Sequence, residues 1–152
     1  MEATRIRRFL LVLLVPLLTL LIWGPTGPLT AQAATGTQSD LTATSGQGAG
    51  RVLISSTAAG QGTFMAQVTV NIHATQPDDL FSVTRAVDLV PDGICTMDSG
   101  FVTVASLTTS AGGAGAVHFV REGGTSDFDV ILRVVDSTGT VLQSACMTVR
   151  VK

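Results

Sequence analysis

The chain has 152 residues, 45% of them hydrophobic and 13% charged, with a formal net charge of −2. Its only lysine is Lys152, it has no tyrosine, and its one tryptophan is Trp23. Nucleic-acid binding draws on clustered cations and stacking aromatics, so this composition argues against a nucleic-acid partner.

Residues 1–33 read as an export signal. Arg5, Arg7 and Arg8 form a basic start, residues 9–23 are almost wholly apolar, and Ala31-Gln32-Ala33 places small residues where a signal peptidase inspects the chain. The expected cut lies between Ala33 and Ala34. An uncleaved anchor is the alternative, but the apolar run is short for a span of about 20 residues and Pro16 interrupts it. Contact with a membrane is therefore expected only in transit. Arg7-Arg8 lacks the spacing of a twin-arginine signal, and no cysteine follows the apolar run to carry a lipid, so the general secretory route of a bacterial protein fits best. Removing residues 1–33 takes away Glu2 and the three early arginines, which leaves the exported part more acidic than the whole. That part is the size of one domain.

Residues 34–50 are rich in Thr, Ser, Gly, Gln and Ala with one large apolar residue, Leu41, and read as a flexible linker before a domain over 51–152. Residues 51–56 form a first short strand. The stretch 64–74, FMAQVTVNIHA, gives the strongest signal in the chain. Phe64, Ala66, Val68, Val70, Ile72 and Ala74 alternate with Met65, Gln67, Thr69, Asn71 and His73, which is a strand with one face on a core. A Pro77-Asp78-Asp79 turn follows. In the third strand, 80–90, Arg85 shares a face with Phe81, Val83, Val87 and Leu89. An unpaired buried guanidinium is costly, so a bulge that shifts the register is preferred over burial of Arg85.

Further strands are expected over 101–109, 116–121, 128–135 and 140–151. In the sixth, Phe128, Val130, Leu132 and Val134 point inward, and Asp127, Asp129 and Arg133 outward. Asp136-Ser137-Thr138-Gly139 is a hairpin signal joining the last two strands. In the last strand Leu142 and Cys146 fall on one face and Met147, Val149 and Val151 on the other, a conflict that a bulge near Ala145 or an edge position resolves. Seven short strands without helical periodicity point to an all-β fold, a single antiparallel sandwich of immunoglobulin-like or Greek-key type, with a small Greek-key barrel as the alternative.

Cys95 and Cys146 are the only cysteines, and in an oxidising compartment they read as one disulfide. Closing a loop of that length stabilises the fold by roughly 4 kcal/mol. Their wide spacing without a C-x-x-C does not make a zinc motif. His73 and His118 are the only histidines, too few for a copper or zinc set on their own. Asp88, Asp92 and Asp98 flank Cys95 and are the best carboxylate cluster, but turn roles fit them better than a calcium loop. No G-x-S-x-G occurs, and the glycines of SAGGAG and GQGAG lack the frame that phosphate binding needs. No cofactor, catalytic residue or metal ligand is therefore assigned. The expectation is a secreted, or cell-envelope, non-catalytic module for binding, adhesion or envelope structure, with a protein or glycan partner. A small secreted copper- or zinc-dependent enzyme using His73, His118 and nearby Asp is the alternative.

The protein recovered after export is expected to start near Ala34. Intact-mass measurement checks this, and recovery of residues 1–23 in a membrane fraction refutes it.

Overall fold

A computed structural model describes residues 36–60, 63–73, 75–96, 100–124 and 126–151. The expected export signal and the expected cleavage site at Ala33 and Ala34 lie outside them.

Nine strands follow one another: β1 (Gly36–Ala43), β2 (Ala49–Gly60), β3 (Thr63–His73), β4 (Leu80–Asp88), β5 (Val102–Thr108), β6 (Gly115–Gly123), β7 (Phe128–Asp136), β8 (Gly139–Ser144) and β9 (Met147–Val149). They form one antiparallel sheet in the order β5-β4-β7-β8-β1-β2-β3-β6, with β9 also on β7. The sheet curls until its two edges, β5 and β6, face each other, so it is nearly closed into a barrel. The expected seven-stranded, two-sheet sandwich is corrected to this single curled sheet. Alternation along each strand is the same in both architectures, because either one buries one face of every strand.

The strand expected from the alternation at 64–74 is β3, and it lies between β2 and β6. Phe64, Ala66, Val68, Val70 and Ile72 are all buried in the interior. Opposite them stand Phe81 and Val83 of β4, Val130, Leu132 and Val134 of β7, and Leu142 of β8.

The expected linker is corrected most sharply. Residues 36–43 form β1, paired in register with β2 from Gly36↔Ser55 to Thr42↔Ala49 and with β8 from Leu41↔Ser144 to Ala43↔Leu142. Its one large apolar residue, Leu41, is 1% exposed. Gln38, Asp40 and Thr42 on the outer face are what a strand can carry when its neighbours supply the core, and a low-hydrophobicity count does not see those neighbours.

The parity conflict in the last strand resolves at Ala145-Cys146. β8 pairs β7 at Arg133↔Gln143 and β9 pairs it at Val130↔Met147, so Ile131 and Leu132 fall in the gap between the two ladders. The Leu132 N–H donates instead to Ser144 Oγ at 3.0 Å, and Ser144 Oγ donates to the Ala145 carbonyl at 2.8 Å. From β1, Ser39 Oγ accepts the Ala145 N–H at 3.1 Å. Two serine hydroxyls thus satisfy the backbone where the strand breaks and changes face. The hairpin at Asp136 is as expected: Asp136 pairs Gly139, and Asp136 Oδ1 accepts from the Thr138 N–H and hydroxyl and from the Gly139 N–H.

At this end of the barrel, the β3–β4 turn is tied to the β5–β6 loop. Thr109, almost fully buried, donates its hydroxyl to the Gln76 carbonyl at 2.6 Å and accepts the Asp79 N–H at 3.0 Å. Gly113, at φ 70°, lies against the Thr75 backbone so closely that a Cβ would overlap its carbonyl oxygen.

Ser144→Ala removes the acceptor of a buried N–H and is expected to cost about 1–3 kcal/mol. Urea denaturation checks this, and an unchanged midpoint refutes the role of the hydroxyl.

Candidate functional site

The described part of the connection between β4 and β5, residues 89–96 and 100–101, contacts the outer face of the sheet. The disulfide Cys95–Cys146, with Cα atoms 5.6 Å apart, ties it to the break between β8 and β9. Asp88 accepts three hydrogen bonds, from the Val90 N–H to Oδ1 and from the Thr96 N–H and hydroxyl to Oδ2. Asp92 Oδ1 accepts the Ile94 N–H. Phe101 lies 3.8 Å beneath the Arg133 guanidinium, measured to the ring centroid. Asp88 and Asp92 are therefore turn-forming acceptors, and Asp98 lies outside the described residues.

This cover changes the reading of β7. Asp129 was expected in solvent, and it does point to the outer face, but it is fully buried under the connection. Its Oδ2 accepts the Gly93 N–H at 2.6 Å, while Oδ1 has no hydrogen-bond partner. Ala86 and Ile131, on the same outer face, are buried too. Asp127 Oδ1 accepts the Val151 N–H at 2.8 Å.

The two histidines are on the outer face and exposed. His118 pairs Thr69 and its Nδ1 is hydrogen-bonded to the Thr69 hydroxyl at 3.1 Å. His73 lies four residues further along β3, which places it roughly 13 Å along the strand from the level of His118. The fold does not bring them together. Among the described residues no group of three or more His, Cys, Asp or Glu is arranged to hold a metal.

Two residues do converge, Arg85, which the sequence reading turned outward, and Arg121, which it did not single out. The register of β4 on β7 is unbroken from Ser82↔Val135 to Asp88↔Asp129, so Arg85 faces inward opposite Leu132. The expectation of a bulge that turns Arg85 outward is corrected. The register shift falls instead on β5, where Val83↔Ala105 is followed by Thr84↔Thr103 and Val104 is the extra residue. A bulge on the neighbour leaves the parity of β4 intact.

Arg121 of β6 pairs Ala66, an inward position, and reaches across the open seam to donate from Nη2 to the Val104 carbonyl at 2.6 Å. The bulged residue, left out of the β4–β5 ladder, thereby gains a donor from the facing edge. Arg85 and Arg121 share the wall of a cavity of about 500 Å³ at the end of the barrel where β3 and β7 begin. Its apolar lining includes Phe64, Val87, Leu89 and Phe128. Phe64 and Phe128 stack with centroids 5.6 Å apart, and Phe64 lies so close over Gly123 that a Cβ there would overlap the ring. The Arg85 Nε is buried without a partner. Burial, and secondarily the Arg121 charge, push the Arg85 pKa down from its ordinary value, yet arginine stays charged in proteins.

A second cavity of about 550 Å³ opens at the opposite end, lined among others by Gln47, Gln76, Thr138 and Asp136, without a cation. No signal short of the register pointed to the arginine pair: Arg85 and Arg121 are 36 positions apart in the chain and share no motif. No protein-family model matches the chain, nor does any curated protein or solved structure.

The Thr96 hydroxyl, then the Val90 and Thr96 N–H groups, hold the Asp88 carboxyl below its ordinary range. A depressed folded pKa gives stability that is complete above the unfolded value of about 3.9 and is lost as pH falls through the folded one. Asp88→Asn is expected to lower the denaturation midpoint at pH 7 and to converge with the parent chain near pH 2. Midpoints measured across that range check it, and parallel curves refute it.

Proposed function

We propose that this protein is an exported, non-catalytic binding module. The disulfide is consistent with an extracellular location, since such bonds persist in oxidising compartments. The observation that carries the reading is the character of the groups that converge. The cations in the wall of the barrel end are two arginines, with Glu122 and Ser126 as the other polar side chains of the lining. Arginine neither gives up nor takes a proton near neutral pH, so the pair is suited to hold an anion rather than to transfer protons. The apolar lining and the few fixed polar groups have the composition of a ligand pocket. Adhesion or an envelope role would use the same exported, disulfide-pinned frame, with a protein or glycan as partner.

The second reading, a copper- or zinc-dependent enzyme, rests on His73 and His118. Separation along β3 sets them too far apart to bind one ion, because ligand-to-metal bonds are about 2 Å.

Changing both His73 and His118 to Ala is expected to leave the melting temperature and any ligand binding nearly intact. The check is thermal unfolding together with elemental analysis of the purified protein. Stoichiometric copper or zinc that disappears in the double variant overturns the non-catalytic reading.

A further inference from the structure

We infer that the open end of the barrel between β4, β6 and β7 binds a monoanionic amphiphile, a carboxylate on an alkyl or aryl body, with the carboxylate on Arg85 and Arg121 and the body against Phe64, Phe128 and Leu89. This rests on the binding-module reading and gives it a ligand class.

Three observations carry it. The first is charge. Arg85, Arg121 and Glu122 are the charged residues that line the cavity, and no carboxylate among the described residues is ion-paired with either arginine. Glu122 pairs Met65, a position whose neighbours Phe64 and Ala66 are the inward ones, so its strand register turns it to the outside. The inward charged groups are then two cations, with Glu122 offsetting part of their field from outside. A monoanion is favoured over a dianion such as a phosphate monoester because the dianion is harder to strip of water in an apolar wall.

The second observation is the orphaned donor. A buried guanidinium N–H without a partner is costly and calls for an explanation, of which a bound acceptor is one. Arg85 Nε is such a donor, and the Arg85 side chain that carries it lines the cavity. Arg121 has one Nη committed to the Val104 carbonyl, which fixes the guanidinium in place while its other donors stay available. That is a preorganised fork beside a second cation, the geometry to which carboxylates bind most tightly.

The third is the body of the pocket. The stacked pair Phe64 and Phe128 forms one wall, and Leu89, 78% exposed, stands at the rim with nothing apolar covering it. A volume of about 500 Å³ lies in the range of small-molecule sites. The open seam supplies the entry: β5 and β6 are not laddered, so the cavity reaches solvent without any element moving.

Protein recovered after expression of the full chain should be titrated with decanoate, decanol and acetate, following heat and the shift of a carboxyl ¹³C label. One decanoate per chain is expected, with decanol and acetate each at least tenfold weaker, because each lacks half of the recognition. The bound decanoate carboxyl should titrate below the free acid. Arg85→Met is expected to weaken decanoate at least tenfold while leaving the ligand-free melting temperature equal or higher, since an apolar isostere removes a desolvated charge. A purely structural Arg85 would instead lower it. Equal affinity for decanol and decanoate, an unshifted carboxyl titration, or unchanged binding by Arg85→Met overturns the inference. If Arg85→Met does not fold, the carboxyl titration in the parent chain decides alone. Failure of decanoate alongside specific capture of a purified protein or glycan would sink this ligand class and leave the binding-module reading standing.

Discussion

The seam between β5 and β6 is the constraint on which the rest of the molecule depends. A curled antiparallel sheet must either close its ladder or leave two edges with unpaired backbone. Here the edges are consecutive strands, joined by the loop 109–114, yet they do not pair with each other. At one end the loop is locked to the β3–β4 turn through Thr109, Thr75 and Gly113. Midway the Arg121 side chain stands in for the missing backbone bonds. Beyond Arg121 nothing described bridges the gap, and the interior opens. The bulge at Val104 and the inward Arg85 are both found at this point, so one incomplete closure accounts for the position of the cavity and for its charge.

The second device is the cover on the outer face. A sheet of this kind usually leaves that face to water. Here the described residues of the β4–β5 connection reach β7, where the Gly93 N–H meets Asp129, and Asp129, Ala86 and Ile131 on that face are buried. A connection without regular structure has few ladder bonds of its own, so it depends on fixed points: the disulfide, the three bonds to Asp88, the Gly93 bond to Asp129 and the stacking of Phe101 on Arg133. The cover and the cavity are neighbours, because Leu89 begins the one and rims the other. Leu89, Val90 and Ile94 of this connection are large apolar side chains left exposed.

Period-two alternation determined β3, β4, β6 and β7 to within a few residues, because each keeps one face in the core and a strand has only two faces. Turn chemistry placed the Asp136–Gly139 hairpin. Two cysteines in a chain that reads as exported were enough to name the disulfide. The break at Ala145 was visible as a change of parity, although what fills it, the Ser144 and Ser39 hydroxyls, was not.

Tertiary structure alone decided the remainder. β1 has the composition of a linker and is a strand only because β2 and β8 offer it backbone partners on both sides. Sandwich and barrel share the same alternation, and the choice between them lies in strand order, which no local pattern encodes. Asp129 reads as a solvent residue until a segment more than 30 positions earlier folds over it. Arg85 reads as an error in its strand until its neighbourhood is known to be the open end of a barrel, where a guanidinium can stand among apolar side chains beside Arg121. Each of these depends on contacts between residues far apart in the chain, and the free energy of such contacts is a property of the assembled sheet rather than of any stretch of sequence.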